Sequence, residues 1–159
     1  MKPGDEYELV IVLIRKNKLL PVFEILAASP GVKNILFMGN NTLGFDPYLK
    51  HLPAGKVLFG FPGAGGHRHG CVVHYVDSEK PKGKRLPVTI GEMDGKSRDR
   101  TKQIASLFRD SGVPVDVVTD IDGWQRYHVA LISPLVNALY KHNCDSHALA
   151  ADKETLLLI

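Results

Sequence analysis

The segment that most constrains the fold is YELVIVLIR, residues 7–15, whose LVIVLI (9–14) is a continuous apolar run near the start of a 159-residue chain. A strand with one face in water alternates apolar with polar residues. A continuous β-rich run predicts a strand covered on both faces, as inside a parallel sheet. KNILFMGN (33–40) has the same texture. Between them, NKLLPVFEILAAS (17–29) brings Leu19, Leu20, Phe23, Ile25 and Leu26 into a helical segment, with Pro21 as a point for a bend. Strand, crossover helix and strand make a right-handed βαβ unit, so the chain is predicted to be α/β.

The remaining segments extend that pattern. DPYLKHL (46–52) reads as a short helix with Asp46 as N-cap and Pro47 at its first position. KVLFGFPGAGG (56–66) is a third strand entering a Gly-rich loop, and CVVHYVD (71–77) and LPVTIGEMDG (86–95) are further strands. The basic EKPKGKR (79–85) between them fits a solvated connection. SRDRTKQIASLFRDSG (97–112) predicts a helix with Ser97 as cap, Ile104, Leu107 and Phe108 as its apolar stripe, and Gly112 as its stop. VPVDVVTD (113–120) is one more short strand, and from Ile121 onward only helix is predicted. That change of texture divides the chain into a sheet domain, 1–119, and the start of a helical domain, 120–159.

Composition excludes several classes. Hydrophobic residues make up 44% and charged residues 23%, the mix of a soluble globular chain. A net charge of +3 is too small to argue for nucleic acid. The longest apolar runs fall far short of the roughly 20 residues that span a bilayer, and no secretory leader is visible. Cys71 and Cys144 form no CxxC pair, so reduced thiols and a cytoplasmic location are expected. His67, His69 and His74 have no carboxylate or thiolate spaced with them as a ligand set, so no metal is predicted. Glu92 and Asp94 in GEMDG are an acid pair or, in the plainer reading, a strand end and a turn.

Taken in order, ELVIVLIRKNKL, ILFMGNNTLGFDPYL, KVLFGFPGAGGHRHGCVVHY, VTIGEMDG, DSGVPVDVVTDID and a helix opening on Trp124 with SPLVNALY resemble the ketopantoate reductases, the NADPH-dependent 2-dehydropantoate 2-reductases. The resemblance runs from about residue 5 to residue 145. It implies a Rossmann-type domain followed by a helical domain with the active site between them, reducing a 2-oxo acid to a 2-hydroxy acid. It also implies that this chain holds only part of that arrangement. No strand followed by G-x-G-x-x-G and a helix, which would place a pyrophosphate on the helix N-terminus, precedes YELVIVLIR, and most of the helical domain is absent.

The resemblance assigns residues. Arg15 stands where the family has a lysine near the cofactor, at the carboxyl end of the first strand. Asn41, or in the other register Asn40, stands for the family's cofactor-side asparagine; Leu43 and Gly44 match better with Asn41, and the same residues make good turn chemistry. On the helix after the junction the family carries a lysine acid two residues after its tryptophan, then asparagines four and eight residues further on. Counted from Trp124, Arg126 takes the lysine position and Ala130 the first asparagine. Counted back from Ser133-Pro134, those positions hold Gln125 and Val129, and Ser133 replaces the second asparagine.

Neither register keeps the lysine. Arginine is a poor proton donor at neutral pH, whereas His128 titrates near it and is the alternative acid. The competing assignment for His128 is structural, since Trp124, His128, Leu131, Leu135 and Leu139 share one helical face. The expectation is a reductase-like chain that by itself binds NADPH weakly and does not turn over a 2-oxo acid. The alternative is a non-catalytic module completed by a partner chain or by self-association as a homo-oligomer.

Overall fold

A computed structural model describes residues 5–75 and 86–159; the basic stretch 79–85 lies outside them. The strands are β1 (Val10–Val12), β2 (Ile35–Met38), β3 (Val57–Phe61), β4 (Gly66–His69), β5 (Val72–Tyr75), β6 (Val88–Gly91) and β7 (Val115–Val117). The α-helices are α1 (Leu20–Ala27), α2 (Asp46–Leu49), α3 (Asp99–Asp110), α4 (Ile121–Lys141), α5 (Ser146–Ala151) and α6 (Lys153–Leu156). Five strands form one sheet in the order β1-β2-β3-β6-β7, and β4 and β5 pair as a separate hairpin.

The expected βαβ unit is present as β1-α1-β2, with β1 and β2 parallel and β3 parallel to β2. The sheet then reverses: β6 runs antiparallel to β3, and β7 parallel to β6. The α/β sheet expected from sequence is present, and one of its ladders, β3 to β6, is antiparallel. A parallel neighbour needs a crossover back to the opposite edge of the sheet. After Phe61 the chain makes the β4–β5 hairpin and re-enters beside β3 from the end at which it left. The Gly-rich segment is accordingly the lead-in to β4 rather than a loop throughout.

Strand alternation sorts the core into two layers. Ile35, Phe37, Val57 and Phe59 face Phe23 and Leu26 of α1, with Tyr48 and Ile121 packed in the same layer. Leu36, Met38, Leu58 and Ile90 face the other way, toward Ile104 and Ala105 of α3. Every residue of β2 and β6 is buried, as continuous apolar runs require.

Local differences from the sequence reading have simple causes. β1 is an edge strand with no helix over one face, so Ile11 and Leu13 remain 43% and 59% exposed where coverage on both faces was expected. Pro21 sits in the first turn of α1, where its missing N–H is not needed, and introduces no bend. Leu20 and Ile25 face solvent. α2 begins at Asp46 itself, with Phe45 at the cap position and no side-chain cap. Arg98 rather than Ser97 precedes α3, and Leu107 is exposed while Thr101 and Ala105 complete the buried stripe with Ile104.

Candidate functional site

The carboxyl ends of β2 and β3 meet the first turns of α4, the edge at which open α/β sheets bind ligands. Asp120 caps α4 by accepting from the Gly123 N–H at 2.8 Å. A Cβ at residue 123 would fall 2.2 Å from that carboxylate, so glycine there lets the cap close. Ile121, 1% exposed, enters the core, and a Cβ on Gly91 would lie 2.8 Å from the Ile121 Cβ. The helix can lie this close to the sheet because residue 91 carries no side chain.

The first consequence is the placement of Gln125. It is 1% exposed, and its Nε2 donates to the Gly39 carbonyl at 3.0 Å and the Gly60 carbonyl at 3.2 Å, at the ends of β2 and β3. Its Oε1 is buried without a hydrogen-bond partner among the described residues. Of the two registers for the family's lysine, the residue turned into the sheet is Gln125. Arg126 points outward, ion-paired to Asp122 at 2.7 Å, with its guanidinium beside Gly44. Ser133 is exposed further along the helix and lines neither space described below.

Two concave spaces share Asn40. The first, a cavity of about 240 Å³, lies at the β1 and β2 ends and is bounded by Arg15, Lys16, Asn40, Asn41, Tyr48 and Phe59, among others. Asn41 is 2% exposed; its Nδ2 donates to the Gly44 carbonyl at 2.9 Å, and its Oδ1 accepts from Lys16 Nζ at 2.9 Å. The amide thus closes the Gly44 turn on one side and fixes a lysine on the other. Burial lowers the Lys16 ammonium below the ordinary lysine value.

The second space is an open cleft of about 450 Å³ between α4 and the β3–β6–β7 end of the sheet, with Phe61, Trp124, His128 and Ile132 on one wall. Leu86, Thr89 and Asp116 lie opposite. His128 stacks on Trp124 at 5.2 Å with planes 4° apart, and its ring lies 4.2 Å from Phe61. No group among the described residues hydrogen-bonds the imidazole. Burial lowers its pKa below that of an ordinary histidine.

The two readings of His128 from sequence therefore meet: the residue is packed on an aromatic wall and also faces a cleft. Asn40 connects His128 to the cavity of Arg15 and Asn41, whereas Arg126 and Ser133 stand apart. Sequence reasoning passed over Lys16 and the cleft residues Phe61 and Asp116. The run Arg15-Lys16-Asn17-Lys18 at a strand end was the available signal for the first; nothing local marks the others.

The other candidates are structural. Glu92, 3% exposed, accepts from Arg100 Nε at 2.8 Å, from a second Arg100 nitrogen and from Thr101 Oγ1 at 2.5 Å, with Arg98 at 3.3 Å. Burial alone would raise its pKa, but these hydrogen bonds and charges outweigh it and hold the carboxyl below the ordinary glutamate value. Asp94 is held by both guanidinium nitrogens of Arg98 at 2.7 Å. His67 and His74 pair across the β4–β5 hairpin, and among the described residues no group of three or more His, Cys, Asp or Glu is placed to hold a metal. Among the described residues no helix is long and apolar enough to cross a membrane.

No family model matches the chain, and no curated protein matches its sequence. Solved structures match its fold. The 2-dehydropantoate 2-reductase of Porphyromonas gingivalis W83 superposes with a TM-score of 0.71 at 14% identity, covering 94% of this chain and 50% of that one. A dimeric ketopantoate reductase from Staphylococcus aureus gives 0.67 at 18% identity, covering 97% and 52%. A D-mandelate dehydrogenase, solved with NADH and anilino(oxo)acetate, gives 0.68 at 16% identity, covering 87% and 43%. The chain spans about half the length of these structures. Its fold is that of the Rossmann-like N-terminal part of the ketopantoate reductases.

Proposed function

We propose that this chain carries the substrate-facing part of a reductase that converts a 2-oxo acid to a 2-hydroxy acid. The observation that supports it is the convergence, through Asn40, of the Arg15–Lys16–Asn41 cavity with the His128 cleft at the carboxyl ends of β1–β3. In this reading Arg15, Asn40 and Asn41 border the ligand, and His128 in its protonated form gives a proton to the carbonyl oxygen. Arg126, tied to Asp122, supports the Gly44 turn. Gln125 holds the helix against the strand ends.

NADPH fits the described residues poorly. A dinucleotide's pyrophosphate is held by backbone N–H groups where a Gly-rich turn opens a helix. The Gly-rich segment after β3 opens β4 instead, and among the described residues β1 has no neighbour on its outer edge. The chain alone is therefore expected to bind NADPH weakly and to leave a 2-oxo acid unreduced. Titrating NADPH and following its fluorescence tests this, and micromolar affinity would overturn it. Both cysteines are exposed and unpaired, which fits a reducing compartment such as the cytoplasm.

A second reading, an assembly module, rests on the uncovered edge: Ile11, Leu13 and Ile14 stand exposed along and just beyond β1. An unpaired strand with apolar side chains is a template for another chain. Sedimentation velocity separates the readings. Concentration-dependent association abolished by Ile11→Lys favours assembly, and a persistent monomer removes it.

A further inference from the structure

The two edges of the sheet are built differently. At one edge β7 carries the exposed Asp116 at its centre, a charge of the kind that keeps an edge from pairing with another chain. At the other edge β1 lies in LVIVLI (9–14), six apolar residues with no charge and no proline, of which Ile11, Leu13 and Ile14 are exposed. The Val10 N–H donates inward to the Asn34 carbonyl at 2.9 Å. By the alternation of a β-ladder, Ile11 therefore turns its own N–H and carbonyl to the open side, and Leu9 and Leu13 follow it. The charges that flank the run are segregated by sign: Asp5, Glu6 and Glu8 precede it, and Arg15, Lys16 and Lys18 follow it.

That charge order selects both a partner and a direction. A second β1 laid parallel would set carboxylate on carboxylate at one end and cation on cation at the other, whereas one laid antiparallel meets the opposite sign at both ends. Each copy then presents the same patch to the other, as a two-fold interface requires. Bends at Glu8 and Ile14 flank the straight stretch 9–13, whose midpoint is Ile11. We propose that two copies of this chain pair β1 with β1, antiparallel, about a two-fold axis at Ile11. Ile11 then faces Ile11 of the second copy, Leu9 faces Leu13, and the acidic end of each strand meets the basic end of the other. Lys16 is already held by Asn41 at 2.9 Å and Glu8 by Lys33 at 2.5 Å, so the exposed Glu6 and Arg15 are the charges that association brings together. This deepens the assembly reading and rests on it, naming the partner as a second copy and fixing the direction and register.

Two measurements on the full chain test this. In sedimentation velocity, Glu6→Arg and Arg15→Glu are each expected to weaken self-association about three- to tenfold, because each sets like charges together at both ends of the seam. An equimolar mixture of the two variants restores opposite charges at both ends and is expected to recover the wild-type affinity, which a folding defect in either variant would not allow. The second measurement is oxidative cross-linking with Cys71 and Cys144, both exposed, replaced by serine. A mixture of Leu9→Cys and Leu13→Cys chains is expected to cross-link, and each variant alone is not. Cross-linking of each variant with itself, or a mixture of the charge variants that stays weak, overturns the proposal. Association unaffected by the charge variants and without a Leu9–Leu13 cross-link also overturns it, while leaving the assembly reading in place through another face. A monomer at every concentration overturns both.

Discussion

Glu92 is a carboxylate taken almost wholly out of water and kept charged by Arg100, Thr101 and Arg98. Removing Arg100 leaves the buried carboxylate only Arg98 and Thr101, a loss of up to about 3–5 kcal/mol. Arg100→Met is expected to lower the unfolding free energy by that amount, read as a lower urea midpoint with an unchanged slope. Because the folded carboxyl titrates below the unfolded one, the contribution is complete above the unfolded value of about 4.3 and disappears as pH falls through the folded value. Arg100→Met should therefore flatten the acid limb of the stability profile. His128 also titrates lower when folded, because it is buried. Between its two values the unfolded chain binds more protons, so stability falls as pH drops below about 6.5. NMR titration of its ring should show a pKa below that of a free histidine, and a normal value would remove the burial argument. Gln125 makes the same kind of case without charge: Gln125→Leu leaves the Gly39 and Gly60 carbonyls without its amide, an expected loss of about 1–3 kcal/mol in chemical denaturation.

Among the elements, α4 is held by absence as much as by contact. Gly91→Ala would set a methyl against Ile121 and the Val118 carbonyl, both 2.8 Å from the new Cβ. It should cost about 1–3 kcal/mol and shift the emission of Trp124, one turn along the same helix, as the helix moves off the sheet. The buried strands β2, β3 and β6 were legible in the sequence because two covered faces leave no room for polar residues. The helices α3 and α4 were legible for the corresponding helical reason, although of the predicted α3 stripe Ile104 is buried and Leu107 is exposed. Strand direction was not, because ILFM and VTIG carry the same texture whichever way they run, and only the connection decides. The site was legible in part. Asn41 and Arg15 stand at strand ends that the pattern locates; the face on which the spacing sets His128 is not the buried one, since Leu131 on it is exposed and Ile121, Gln125 and Ala138 are buried. The inward turn of Gln125 depends on how α4 meets Gly39 and Gly60, 86 and 65 residues away in the chain, and no local pattern records that.

Across the whole molecule, the sheet is two sequence-continuous blocks joined side by side. β1, β2 and β3 come from one stretch of chain, β6 and β7 from the next, and the ladder joining them is Phe59 to Gly91, Gly60 to Ile90 and Phe61 to Thr89. Beyond that ladder, the later block reaches over the earlier one with Ile121 and Gln125. Such a seam is a natural parting line. A chain opened between Tyr75 and Leu86 would yield two pieces with complementary faces: one offers the free edge of β3 and a recess for Ile121, the other a strand and a helix shaped to fill them. Mixed together, the pieces should reconstitute the far-UV spectrum of the intact chain, with a shift of Trp124 emission reporting their docking, so that this protein could serve as a split reporter with its probe built into one half.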